Sequence, residues 1–253
     1  MSEYETWLKS ILPPSAKILE LKNSNNRPAI LLADLDGDRV KELVVAYQNK
    51  GQNYLLLFKK SIDDWYPVIE IKGKGNAITD LMVVPLTNRG VNTLIVGWQL
   101  GSMLSQLVLI QWQIHGFINL LTNYVEYSKL YAEDMHGRYG KDGQFELAIW
   151  IHDMGEAYIV DVYRYNGKGL MKANDHYPNY FKKVIAYYKQ LLMRANLPDY
   201  WYYLADAQLK VKEFDQALIS INKALSLTNG NPSKEKMIAL KNEILNNRKQ
   251  NET

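Results

Sequence analysis

Two hydrophobic periodicities divide this chain. Up to about residue 175, apolar residues come in short runs with period-two alternation around them, the pattern of β-strands buried on one or both faces. Leu43–Tyr47, Tyr54–Phe58, Leu94–Trp98, Leu107–Trp112, Leu147–Ile149 and Tyr158–Tyr163 are such runs. From Pro178 the apolar spacing changes to threes and fours. Phe181, Val184, Ile185, Tyr188, Leu191 and Leu192 mark one helix face, and Pro178 sits at its start, where a missing N–H costs nothing. Pro198-Asp199 restarts the chain. Trp201, Leu204, Ala205 and Leu209 then share a face, followed by Phe214, Ala217, Leu218, Ile221, Ala224 and Leu225. Asn229–Pro232 interrupts, and Ser233 is placed to cap a last helix carrying Met237, Leu240, Ile244 and Leu245. The expected fold class is α+β, with an all-β domain over 1–175 and an all-α segment over 176–253.

The strands recur. Laying Leu43–Gln48 on Leu94–Gln99 gives an offset of 51 residues, which also puts Val40 on Val91 and Leu35 on Leu86. Glu146–Ile149 matches Glu42–Val45 at an offset of 104. Each copy continues into a second apolar strand and then a turn: Asp63-Asp64, His115-Gly116 and Asn166–Gly169. A short outer strand such as Trp65–Ile71 follows. Three units of about fifty residues and four strands each predict propeller-like four-stranded blades, with a generic antiparallel β-domain as the alternative. Asp34-Leu35-Asp36-Gly37-Asp38 ahead of Glu42-Leu43-Val44-Val45 resembles the FG-GAP or VCBS repeat of integrin-α-type propellers. That resemblance spans about Arg27–Lys172, and only the first copy carries its acidic signature well. Closed propellers usually have four blades or more, so three leave sheet edges to be covered. C-terminal helices packed on the third blade are the expected cover. A two-fold homodimer is the runner-up, and the N-terminal segment Tyr4–Leu12 is a further candidate.

Trp201, Leu204 and Ala205, then Phe214, Ala217, Ile221 and Ala224, resemble a tetratricopeptide (TPR) repeat over Pro198–Asn231. Small Ala205, Ala217 and Ala224 would let two antiparallel helices approach closely. The chain departs from that pattern at Gln208, where tyrosine is usual, and at Asn229, where proline is. One repeat is not stable alone, so the flanking helices would supply half-units.

Composition narrows the function. The 253 residues are 47% hydrophobic with a formal net charge of +3, and the one basic concentration, Lys234–Lys249, is interleaved with Glu235 and Glu243. Nucleic-acid binding, which needs a clustered basic surface, is not expected. Cysteine is absent, which removes disulfides, thiolate nucleophiles and zinc ribbons together but leaves the compartment open. Met1–Lys9 carries no apolar signal core, and no apolar run is long enough to cross a bilayer, so the chain as given is expected to be soluble.

Asp34, Asp36 and Asp38 alternate around Gly37, so their side chains can converge at a sharp turn. The carbonyl of Val40 and the carboxylate of Glu42 could complete an oxygen cage suited to a structural Ca²⁺, as the FG-GAP resemblance also implies. Arg39 and Lys41 are the competing cations, and an acidic turn that merely caps a strand is the alternative. The aligned residues are Pro85, Thr87, Arg89 and Thr93 in the second copy, and Arg138, Gly140, Asp142 and Glu146 in the third. At most one calcium is therefore expected. His136 and His152 read as ordinary loop residues, and Gly73-Lys74-Gly75 and Gly167-Lys168-Gly169 as turns. Tyr177, Tyr180, Tyr187, Tyr188, Tyr200, Trp201, Tyr202 and Tyr203 make the first two helices unusually aromatic, part expected at the joint with the blades and part on the surface.

The leading expectation is a non-enzymatic protein-interaction module or scaffold that binds a protein or peptide, with Tyr202, Tyr203, Lys210 and Lys212 lining a helical groove. A carbohydrate or cell-envelope binder using the blade loops is the alternative. A hydrolase on a propeller scaffold is a third reading, weakened by the lack of a recognisable nucleophile–base set.

Overall fold

A computed structural model describes residues 3–22, 26–62, 64–114, 116–227 and 231–252. The expected turn residues Asp63 and His115, and Asn229 and Gly230 of the helix interruption, lie outside the described residues. The chain is α+β, strands first and four helices last, and no closed barrel or propeller forms among the described residues.

Helix α1 (Glu3–Ile11) opens the chain and is followed by β1 (Lys17–Ile18), β2 (Glu20–Leu21), β3 (Arg27–Pro28) and β4 (Ile30–Ala33). Next come β5 (Glu42–Asn49), β6 (Gln52–Lys60), β7 (Trp65–Lys72), β8 (Ala77–Asn88), β9 (Val91–Gln99), β10 (Ser105–Gln113), β11 (Gly116–Asn119) and β12 (Glu126–Tyr127). Strands β13 (Lys129–Glu133), β14 (Glu146–His152), β15 (Tyr158–Tyr165) and β16 (Leu170–Lys172) complete the β-part. The helices are α2 (Tyr177–Arg194), α3 (Pro198–Lys210), α4 (Phe214–Ser226) and α5 (Lys234–Glu252).

Three sheets result among the described residues. In the first, β5 pairs with β1 and β4 along one edge and with β6 on the other, and β6 pairs with β7. The second runs β8-β9-β10 and then β11 and β12, with β2 and β3 added beside β8. The third is the antiparallel order β13-β14-β15-β16.

Two compact units divide the chain: Met1–Ser128 with Tyr165–Leu170, and Lys129–Arg164 with Met171–Thr253. The main break thus falls at 128, not at the expected 175. The third sheet belongs with the helices because it shares their core.

In the first unit, Leu43–Tyr47 is buried along its whole length, and its two faces serve different neighbours. Leu43, Val45 and Tyr47 pack with Leu8 and Leu12 of the α1 region, so the Tyr4–Leu12 segment covers a face of the first sheet. Val44 and Ala46 pack instead with Leu94, Val96 and Trp98 of the second sheet. Repeat-equivalent positions therefore face the same way in successive sheets, so Leu94, Val96 and Trp98 meet the opposite face of the first sheet from the one that carries Leu43, Val45 and Tyr47, as in front-to-back stacking. Fully burying side chains of this size stabilises by about 1.5–3 kcal/mol each.

The second unit has its own core. Ala148, Trp150, Val160 and Val162 of the third sheet meet Tyr180, Phe181, Val184, Ile185 and Tyr188 of α2, and Tyr203 and Leu204 of α3. Helices packed on the third sheet are what the fold shows, and the surface they cover is a face of that sheet. Pro178 lies in the first turn of α2 and Pro198 begins α3. Ala205, Ala217 and Ala224 are fully buried between α3, α4 and α5. Gln208 is buried too, and its Oε1 accepts the Ser220 hydroxyl at 2.6 Å, so the polar residue has its partner across the α3–α4 hairpin. Ser233 Oγ accepts the Lys236 N–H at 3.4 Å at the start of α5, as its sequence position predicts.

Candidate functional site

In the first unit, the acidic loop between β4 and β5 is shaped by its own backbone. Gly37 takes φ +83° and Arg39 +69°, the left-handed turn that Gly37 makes easy. Asp34 accepts the N–H groups of Gly37 at 2.7 Å and Arg39 at 3.0 Å. Asp36 accepts that of Asp38 at 3.2 Å, and Asp38 that of Val40 at 2.7 Å. The loop is tied to the second sheet, where Asn92 Nδ2 donates to the Asp34 carbonyl at 2.6 Å.

Asp34, Asp36 and Glu42 each bring one carboxylate oxygen within 4.8 Å of the others. Asp38 is not part of that cluster, and the contact seen for Val40 is its N–H to Asp38 rather than a carbonyl ligand. Glu42 is fully buried; its Oε2 accepts the Leu35 N–H at 2.7 Å, while Oε1 has no hydrogen-bond partner among the described residues. Burial pushes the Glu42 carboxyl above its ordinary value, against the pull of the Leu35 N–H. The cation at these carboxylates is neither Arg39 nor Lys41, both of which are exposed. It is Lys59, which hydrogen-bonds Asp36 and lies 3.6 Å from Asp38 Oδ2. The Asp36 bond holds the Lys59 ammonium above its usual range. Sequence reading missed Lys59, although the β5–β6 hairpin places it across the ladder from Glu42, one step beyond the Leu43–Phe58 pair.

The second unit repeats this closure without the acidic run. Glu146 begins β14 as Glu42 begins β5, and its Oε2 accepts the Met135 N–H at 3.0 Å. Arg164 stands opposite Glu146, one step beyond the Leu147–Tyr163 pair. His176 Nε2 lies 3.5 Å from Glu146 Oε1, and both side chains are buried. Asp175, ion-paired with Arg164, lies 3.4 Å from His176 Nδ1. Burial raises the Glu146 carboxyl to about 7; the Met135 N–H and Arg164 oppose this, and Asp142 and Asp134 reinforce it. Burial, helped by Arg164, lowers the His176 pKa.

The two groups drive stability in opposite directions. Unfolded glutamate ionises near 4.5 while folded Glu146 keeps its proton to about 7, so its contribution falls as pH rises through that interval. Unfolded histidine takes a proton near 6.5 that buried His176 refuses, so its contribution falls as pH drops below 6.5. Each slope is at most about 1.4 kcal/mol per pH unit, and they oppose where both act. Glu146→Gln is therefore expected to make the melting temperature rise with pH up to about 6.5, and His176→Gln to make it fall with pH up to about 7. Melts from pH 4.5 to 7.5 check this; slopes identical to wild type in both variants would refute it.

A groove of about 550 Å³ also lies in the second unit, along α3, α4 and α5. Lys210 and Lys212 line it, together with Lys172, Asn174, Asn247 and Asn251. Tyr202 and Tyr203 do not. Tyr203 is buried, with its hydroxyl on Asp153 Oδ2 at 2.7 Å, and Tyr202 is half-buried against the cores on both sides of α3. All eight aromatic residues of this stretch are buried or half-buried; Tyr177 also lines the groove, and Tyr187, Trp201 and Tyr202 keep part of their surface. Lys210 is largely engaged in structure: it donates to the Val160 carbonyl at 2.9 Å and pairs with Asp206 at 3.0 Å. Lys212 is exposed at the C-terminal end of α3, with φ +64°.

No family model and no curated protein matches the chain.

Proposed function

We propose that the protein is a non-enzymatic interaction module, built from propeller-like blades and a TPR-like helical hairpin. It takes an extended segment of a partner protein in the groove of the second unit. The supporting observation is the composition of the groove wall. Asn174 and Asn251 each carry a donor and an acceptor, the combination that pairs with the main chain of an extended peptide, and Asn247 keeps its side-chain carbonyl for it while its Nδ2 donates to the Glu243 carbonyl at 2.9 Å. Exposed Lys212 beside them favours a segment carrying an acidic residue, whereas Lys172 is already paired with Asp161 at 2.7 Å. Front-to-back stacking of the first two sheets supports the blade reading, and the fully buried alanines of α3 and α4 support the TPR reading.

The test is selection from a random peptide library on the full chain, followed by fluorescence anisotropy of the selected peptides. Lys212→Glu and Asn247→Ala, both at exposed positions, should weaken binding by about tenfold or more, while Asp36→Asn in the first unit leaves it unchanged. Peptides that bind Lys212→Glu and Asn247→Ala as well as wild type, or retention on polysaccharide in place of peptide, would overturn this reading.

The acidic loop is proposed as a structural calcium site. Asp34, Asp36 and Glu42 would hold the ion, which would neutralise the clustered carboxylates and fix the turn into β5. The donor set is all oxygen, as a hard cation requires, and Glu42 Oε1 offers a buried acceptor without another partner.

A further inference from the structure

We propose that Lys59 is the resident cation of the acidic loop, and that a calcium-sized divalent ion enters only by displacing its ammonium. This rests on the calcium reading of the loop and adds the residue that controls it.

The carboxylate oxygens of Asp34, Asp36 and Glu42 lie within 4.8 Å of one another, a span that one ion with ligands at about 2.4 Å can bridge. Glu42 is completely buried, and its Oε1 has no hydrogen-bond partner among the described residues. The cluster thus includes a fully buried carboxylate that keeps one oxygen unpartnered among the described residues. Lys59 does not satisfy it. Its ammonium is bound to Asp36 and lies 3.6 Å from Asp38 Oδ2, toward the outer side of the loop.

An ammonium and a divalent ion cannot share Asp36 Oδ2 at close range, because like charges repel and the oxygen cannot serve both. Lys59 also has a second seat. The Trp112 ring of the second sheet lies with its centroid 5.0 Å from the ammonium, a cation–π contact that is kept when Asp36 lets go. The four-carbon stem lets the charge swing between the two without moving β6.

The third sheet supplies the contrast. At the same ladder position it carries Arg164, whose guanidinium is paired with Asp175. The oxygen that matches Glu42 Oε1 is Glu146 Oε1, and it faces His176 Nε2 at 3.5 Å. That loop is closed by fixed internal partners. In the first loop the cation is a flexible lysine and the buried oxygen has no such neighbour, which is the arrangement of an exchangeable site.

Calcium binding to the full chain can be read by terbium luminescence, sensitised by neighbouring aromatic rings and competed by calcium, and by melting in EDTA and in calcium. Lys59→Met is expected to bind calcium about tenfold or more tightly than wild type, and to melt below wild type in EDTA and above its own EDTA value in calcium. Asp36→Asn added to Lys59→Met should abolish the gain. If wild type binds calcium and Lys59→Met binds it no more tightly, Lys59 does not compete and the proposal fails, while the calcium reading stands. If neither binds, both fail. Should Lys59→Met not fold, Lys59→Arg carries the test: its larger, fixed charge is expected to weaken calcium binding about tenfold, and unchanged binding by Lys59→Arg would count against the proposal.

Discussion

Tyr188→Ala is expected to destabilise the second unit by about 4 kcal/mol, and Tyr188→Phe by about 2 kcal/mol. Tyr188 is fully buried on α2, stacked on Tyr203 with ring centroids 5.8 Å apart. Its hydroxyl accepts the Tyr158 N–H at 2.9 Å and donates to the Tyr158 carbonyl at 2.5 Å. One side chain thus satisfies both main-chain groups at the start of β15. Phenylalanine keeps the ring and strands those two groups in the core; alanine adds a cavity the size of the ring. Urea denaturation of the full chain separates these costs. Tyr139→Ala is the control, since Tyr139 is 92% exposed and should change stability by less than about 0.5 kcal/mol. A Tyr188→Phe protein as stable as wild type would show that the hydroxyl bridge carries nothing.

The second large effect belongs to Gly97 on β9. A Cβ built there would lie 1.8 Å from the Tyr127 hydroxyl, 2.4 Å from Thr79 Oγ1 and 2.9 Å from Asp80 Oδ2. Those atoms form one network. Tyr127 donates to Asp80 at 2.5 Å, Thr79 donates to Ser105 at 3.0 Å, and the Thr79 and Tyr127 hydroxyls are 3.1 Å apart. Gly97→Ala must push the Tyr127 hydroxyl out of its seat, at an expected cost of about 3 kcal/mol to the first unit. Because the closest clash is with the Tyr127 hydroxyl, the same change in a Tyr127→Phe background should cost about 1 kcal/mol less, the Thr79 and Asp80 oxygens still having to give. A double-mutant cycle by thermal or urea unfolding reads that coupling. Strict additivity would mean that the clash is relieved elsewhere.

Much of this architecture was legible in the residues. The run Leu43–Tyr47 announces a strand buried on both faces, and its two faces meet α1 and the second sheet. The spacing of Phe181, Val184, Ile185 and Tyr188 gives the buried face of α2. Of the acidic loop, the convergence of Asp34, Asp36 and Glu42 is seen, whereas Asp38 spends its carboxylate on the Val40 N–H and the exposed loop. In the helical groove, Lys210 at the end of α3 and Lys212 just beyond it both lie on the wall, but Tyr203 points into the core. Alternation along a helix says which face a tyrosine shares, not whether a sheet already covers that face.

Periodicity, turn residues and repeat offsets are local, so the chain by itself determined its class, its strand and helix faces, and the acidic turn before β5. The tertiary structure alone decided which distant residues complete each site. Lys59 reaches Asp36 because the β5–β6 hairpin carries it back across from Glu42. His176 faces Glu146 because a short turn before α2 brings it back against β14. The third sheet joins the helices, and not the earlier strands, because Trp150, Val160 and Val162 are buried against α2 and α3. Each of these rests on desolvation by a partner far away in sequence, a quantity that exists only once the faces have met.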